Sequence, residues 1–294
     1  MTEGVSHSTR HGLATVEVNT PLASAFVYMQ GAHVAHFQPA SHGPVLWMSQ
    51  HAVYAPSKPL RGGVPICFPW FGNHAERKDA PAHGFARTRS WRYLGSTAIE
   101  NGAVRLALEL TSDEQTSPLW PHAFRAEYAI TVGTTLELEL AVTATGDAGF
   151  SFEQALHSYF AVSDVRRCPV EGLAGASYLD KVAGELRRET AEQIRIAGET
   201  DRVYTSDATC TVHDPGSSRS LRIEKSGSGA TVIWNPWLEK ARKMSDFGDD
   251  EWPSMLCVES ASVGASAVAL AAGQTHRLVQ RMAVTKVERA RLAP

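Results

Sequence analysis

The sequence is poor in cysteine: Cys67, Cys168, Cys210 and Cys257 are its only four, and no two lie closer than 42 positions. That spacing excludes a CxxC zinc or redox motif and gives no sign of a disulfide framework. Charge is sparse as well. Asp, Glu, Lys and Arg make up 20% of the 294 residues and the formal net charge is −3, so the basic field of a general nucleic-acid binder is missing. No apolar run approaches the ~20 residues of a membrane span, and the alanine-rich stretch 265–272 is too short. Residues 1–10 are polar and lack the apolar core of a secretory signal. No glycine-rich nucleotide loop occurs, since Gly62-Gly63 has neither the lysine nor the strand–helix setting of a P-loop. No Gly-x-Ser-x-Gly elbow occurs either, which argues against an esterase. The expectation is a reduced, cytoplasmic protein that engages neither nucleic acid nor membrane.

Helical periodicity is equally scarce, and only 237–244 reads as a short helix. What is present is alternation of period two. The segments 103–110 and 136–140 alternate residue by residue, and 13–18, 25–30, 33–38, 125–132, 151–162, 219–224, 231–234, 255–259 and 277–287 are further strand candidates. Strands with one apolar face, cut by Gly, Pro, Asn and Asp turns, form stacked antiparallel sheets. The fold class is therefore all-β, a large antiparallel sandwich with few short helices. No internal repeat is present, so the chain reads as a single domain, 1–294, with its core at about 12–287.

Residues 59–72 depart from this pattern. They hold three prolines, three glycines, three aromatics and one charge, Arg61. Proline fixes φ and withholds a donor, while glycine serves where φ is positive or the backbone is closely approached. An irregular yet apolar segment carrying one guanidinium is expected either at the wall of a ligand cleft or as a loop packed over a sheet edge.

The next segments extend a pattern. Arg61-Gly62-Gly63-Val64-Pro65-Ile66-Cys67-Phe68-Pro69-Trp70-Phe71-Gly72 is followed by His83-Gly84-Phe85-Ala86-Arg87. Then come Leu156-His157-Ser158-Tyr159-Phe160, Glu171-Gly172-Leu173, Tyr178-Leu179-Asp180-Lys181, Thr200-Asp201-Arg202-Val203-Tyr204, Trp234-Asn235-Pro236-Trp237 and Cys257-Val258-Glu259. In this order, from about residue 12 to about 286, the chain resembles the hexose-6-phosphate 1-epimerases of the galactose mutarotase-like superfamily. The resemblance implies a β-supersandwich, interconversion of the α and β anomers of glucose 6-phosphate or a related aldohexose 6-phosphate, no cofactor, no metal, and a monomer acting on a small-molecule sugar phosphate.

The residues support that chemistry to different degrees. If 151–162 is one strand, Phe152, Leu156, Phe160 and Val162 share a core face, while Glu153, Ala155, His157 and Tyr159 share the other. A histidine so placed is either structural or lines a cleft. Glu259 closes an apolar run, where a carboxylate either pairs with a cation or has its pKa raised. The resemblance implies that His157 and Glu259 are the acid–base pair. Anomerisation needs a proton removed from the C1 hydroxyl and another given to the ring oxygen, with the roles exchanged on reclosure. An imidazolium and a carboxylate on different sides of the anomeric centre meet that need. Arg61 and Arg87 would clamp the phosphate, unless one of them pairs with Glu76 or Asp79. His83 and Asp201 would bind sugar hydroxyls and Trp234 would offer a ring face. Asn235 and Lys240 are further candidates, for hydroxyls and phosphate. His33 and His36, three apart on a strand, face opposite ways and suit structural roles better than a metal site. The charged stretch 246–251 reads as a solvated turn. A mutarotase for free hexoses would keep the acid–base pair but need no second arginine, and a carbohydrate-binding module would need neither.

Overall fold

The computed structural model describes residues 2–287; Met1 and 288–294, the ends of the expected domain, lie outside them. The chain is all-β. A nine-stranded antiparallel sheet and an eight-stranded one carry most of it, with a four-stranded N-terminal meander and a two-stranded ribbon beside them. In the nine-stranded sheet the alternation is obeyed closely: in Phe124–Val132 and Leu136–Ala144 the leucines, Ile130 and Tyr128 are buried while the intervening polar residues are partly exposed. A large hydrophobic core draws on all of these sheets, and a small second cluster of Leu13, Tyr28, Ala35 and Leu60 lies apart from it. Gln280, fully buried on Thr275–Lys286, ties the two large sheets together: it accepts from Ser158 Oγ (2.9 Å) and donates to the Val258 carbonyl (3.4 Å).

The eight-stranded sheet positions the site. Across it run Glu185–Arg188, Ser177–Asp180, Thr200–Tyr204, Ala230–Asn235, Met255–Ser262, Gln154–Leu156 and Ile66–Cys67, with Tyr159–Ala161 also paired to Met255–Ser262. Met255–Ser262 is buried at every position, because one face meets the core and the other faces the candidate site.

Three local expectations are revised. The expected strand 151–162 is three short strands: Phe150–Phe152 pairs with Val268–Leu270, while Gln154–Leu156 and Tyr159–Ala161 both pair with Met255–Ser262. Glu153 marks the first break: its carboxylate accepts from the Phe71 and Gly264 amides (3.0 and 2.7 Å), and its own amide donates to the Pro69 carbonyl. Residues 59–72 are not wholly irregular, since Ile66–Cys67 forms the edge of the sheet beside Gln154–Leu156. The expected helix 237–244 is regular only over Trp237–Ala241. His33 is buried with no hydrogen-bond partner at either ring nitrogen, while His36 stacks on Phe26 and bonds Ser24.

Candidate functional site

Strand register builds the site. Leu156 pairs with Ser260 and Tyr159 with Cys257, so the same register, carried through the gap between the two short strands, sets His157 opposite Glu259. On the adjoining strands Asp201 pairs with Trp234, and Trp234 with Cys257. Directly opposed residues of an antiparallel pair point to the same side of the sheet. Asp201, Trp234, Cys257 and Tyr159 therefore form a row across four strands, with Glu259 and His157 in the neighbouring row on the same face.

At the centre, His157 Nε2 stands 3.3 Å from Glu259 Oε1. Both side chains are buried, Glu259 at 1% exposure and His157 at 7%. The approach is not aligned as a hydrogen bond, and neither carboxyl oxygen of Glu259 nor Nδ1 of His157 has a hydrogen-bond partner. Buried polar atoms left unpaired cost stability, and in native proteins they call for a functional account. The His157 ring stacks on Tyr159 at 4.8 Å and meets Trp234 edge-on at 6.0 Å. Burial pushes the Glu259 carboxyl well up, with Asp201 adding to the effect. Burial pushes the His157 imidazole well down, helped by His83, Arg87 and Arg61. Both groups are thus driven toward their neutral forms, where the sequence suggested a carboxylate beside an imidazolium. One transferable proton is present in either arrangement. The two groups also sit side by side, rather than on different sides of a gap.

Segment 83–87 reaches the same face through backbone contacts. Gly84 has φ +75°, and a Cβ there would overlap the Phe68 carbonyl, so only glycine permits this approach. His83 Nδ1 accepts from the Gly72 amide at 3.3 Å and lies 3.4 Å from Cys67 Sγ. Burial pushes its pKa down to about 3, so the ring is neutral and its proton sits on Nε2. That leaves Nε2–H as a donor for a hydroxyl.

The two arginines differ. Arg61 is already engaged: Nε and Nη2 each donate to Asp246 at 3.2 Å, and Nη1 donates to the Tyr159 hydroxyl at 2.9 Å. Its acid partner is neither Glu76 nor Asp79; Asp79 is held by Arg77. Arg87 donates to the Ala82 carbonyl at 2.7 Å, its Nε is buried without a partner, and it has no ion pair among the described residues. Burial and the repulsion of Arg61 lower its pKa, as expected for a cation lacking an anion.

Stretch 246–251 is not a solvated turn: Asp246 holds Arg61, Phe247 is buried against Trp47, and Glu251 accepts from Ser49 Oγ and the Gln50 amide. Asp201 lies 3.5 Å from Lys181, whose ammonium sits over Phe71. Asn235 is fully buried, binding the Trp252 and Met255 carbonyls and the Trp237 amide, so it shapes the turn and offers nothing to a hydroxyl. Lys240 pairs with Glu199 at the surface. Sequence reasoning missed Asp246 and the role of Tyr159. The shared face of His157 and Tyr159 was a usable signal for the tyrosine; nothing in the sequence links Asp246 to Arg61. Cavities of about 650 and 570 Å³ around Arg219 involve none of these residues.

The chain matches the family described as aldose 1-epimerase over residues 14–283. It belongs to the aldose 1-epimerase family. A Salmonella typhimurium relative provisionally named glucose-6-phosphate 1-epimerase is 36% identical over 276 residues, 93% of this chain and 91% of its own. An Escherichia coli relative with the same provisional name is 35% identical over 251 residues, covering 85% and 83%. A crystal structure from Salmonella typhimurium, provisionally described as a mutarotase, superposes with a TM-score of 0.90 at 33% identity, over 97% of this chain and 95% of that one. The enzyme is thus an epimerase with the mutarotase-like all-β fold. No helix among the described residues is long and apolar enough to cross a membrane.

Proposed function

We propose that the enzyme interconverts the α and β anomers of glucose 6-phosphate, or of a closely related aldohexose 6-phosphate, with His157 and Glu259 as its acid–base pair. The observation that carries this reading is the 3.3 Å approach of two buried titratable groups with three unpaired polar atoms between them. The C1 hydroxyl and the ring oxygen are bonded to the same carbon, so adjacent groups suit them: one takes the hydroxyl proton while the other protonates the ring oxygen. The ring opens to the aldehyde, C1 turns about the C1–C2 bond, and closure returns both protons with the roles exchanged. His83, through Nε2–H, and Asp201 would hold hydroxyls, with Trp234 beside the ring.

The phosphate assignment rests on Arg87 and Arg61, two mutually repelling guanidiniums of which one lacks a counter-ion. Arg87 is the readier ligand. Arg61 still has two uncommitted N–H groups beyond those given to Asp246 and Tyr159, so it shares or exchanges its fork. The names of the relatives point to the same substrate. The test is anomer exchange by saturation-transfer NMR on glucose 6-phosphate and on glucose. Exchange faster with the phosphate ester is expected; equal rates on both would favour a mutarotase for free hexoses.

A further inference from the structure

His157, Cys257 and Glu259 bring three donor atoms of different kinds within 4.8 Å of one another, all on buried side chains. We propose that they form a Zn²⁺ site directly over the acid–base pair, so that zinc and sugar phosphate exclude each other.

The donor set is one that zinc favours: an imidazole nitrogen, a thiolate sulfur and a carboxylate oxygen. The geometry fits as well. Nitrogen and oxygen ligands at ~2.0–2.2 Å from a tetrahedral zinc stand about 3.3–3.5 Å apart. His157 Nε2 and Glu259 Oε1 are already 3.3 Å apart. Zinc–sulfur bonds of ~2.3 Å ask for a sulfur about 3.6 Å from the other two atoms. From no more than 4.8 Å that is a shift of about an ångström, within reach of a rotation of the short Cys257 side chain. The register explains why the three meet: Cys257 and Glu259 are two apart on one strand, and His157 faces Glu259 from the next.

The carboxylate is free for such a role, since both Glu259 oxygens lack a hydrogen-bond partner. A thiolate and a carboxylate would balance the dication, so the occupied site adds no net charge beside Arg87, Arg61 and Lys181. Three protein ligands leave a fourth position, as in zinc sites that accept water or a substrate oxygen. Here the metal would immobilise both proton-transfer groups, so it acts as an inhibitor and not as a catalyst.

The metal-binding part of this inference stands on geometry alone; its inhibitory part rests on the function proposed above. The test begins with a Co²⁺ titration of the chelator-treated, full-length protein. A thiolate-to-cobalt charge-transfer band saturating at one equivalent, removed by added Zn²⁺ and lost in Cys257→Ser and Cys257→Ala, is expected. The ratio of exchange without zinc to exchange with zinc should fall at least tenfold in the same variants, and glucose 6-phosphate should compete with cobalt. Absence of the band in the native protein overturns the proposal whether or not the variants fold. So does a band, or a zinc sensitivity, that survives in the folded variants. A band without any anomer exchange would instead defeat the functional reading and leave the metal site standing.

Discussion

Replacing Glu259 by glutamine separates catalysis from folding. The change preserves shape but removes the exchangeable carboxyl proton, and it does so at a side chain that is 1% exposed with no hydrogen bond to lose. A positioned proton-transfer group contributes typically ~10²–10⁴-fold, which is about 2.7–5.5 kcal/mol of barrier. Exchange between the anomeric protons of glucose 6-phosphate, followed by saturation transfer, should fall by that factor or to the uncatalysed floor. Stability should respond the other way. A carboxyl whose pKa is raised by folding favours the native state fully below its unfolded pKa, and that contribution is lost as pH rises through the folded value. Near neutral pH the native carboxyl is therefore a cost that a neutral amide does not carry, and the variant should melt at the same temperature as the native enzyme or higher. Exchange within tenfold of native would remove Glu259 from the chemistry. A melting temperature several degrees lower would show that its charge serves the fold instead.

Arg87→Ala should reduce kcat/KM for glucose 6-phosphate relative to free glucose by about tenfold or more, since one charge-assisted hydrogen bond contributes about 1.5–3 kcal/mol; an unchanged ratio would move the phosphate elsewhere. Arg219→Met should lower unfolding free energy by about 2–4 kcal/mol in chemical denaturation. It removes the cation beside buried Asp214, which keeps its bonds from Ser163 and Ser217, and frees the Gly43, Pro44 and Ala161 carbonyls; a loss below about 1 kcal/mol would contradict this. Burial pushes His33 down to about 3, so between pH 6.5 and 3 the unfolded chain binds a proton that the native state refuses. Its share of stability should fall by about 1.4 kcal/mol per pH unit on acidification, and urea midpoints at pH 7 and pH 5 should diverge less in His33→Gln.

The alternating segments 103–110, 125–132 and 136–140 were legible because their strands in the nine-stranded sheet each have one wet and one dry face. Val5–Arg10 and Glu185–Arg188 were not: they lie at sheet edges, exposed on both faces or nearly so, and carry no alternation to read. The interval 151–162 was misread for the opposite reason. Partner exchange at Glu153 is decided by carbonyls and amides from 69–71 and 264, which no local pattern encodes. His157, Glu259, Arg61, His83, Arg87, Asp201 and Trp234 were all named from the sequence through the family resemblance. Register sets His157, Glu259, Asp201 and Trp234 on one face, and contacts with Tyr159 and His157 bring Arg61 and His83 to it.

The facing of His157 and Glu259 across two hydrogen-bonded strands has a stereochemical consequence. Neighbouring strands are held ~4.7–4.9 Å apart, so the pair cannot spread to admit a pyranose between its members. The sugar has to stand edge-on above the sheet, with O1 directed at one group and the ring oxygen at the other. Carbon 6 hangs from C5, which is bonded to the ring oxygen, so the phosphate arm extends to the ring-oxygen side. Arg87 acts electrostatically on both groups, whereas Arg61 acts on His157 and bonds the Tyr159 hydroxyl beside it, and Glu259 lies toward Asp201 and Lys181. A substrate whose phosphate reaches Arg61 would thus bring its ring oxygen to His157 and its O1 to Glu259, whichever of the two holds the proton at rest. A hexose phosphate analogue with nitrogen in place of the ring oxygen should then perturb the His157 imidazole resonances more than the carboxyl of Glu259.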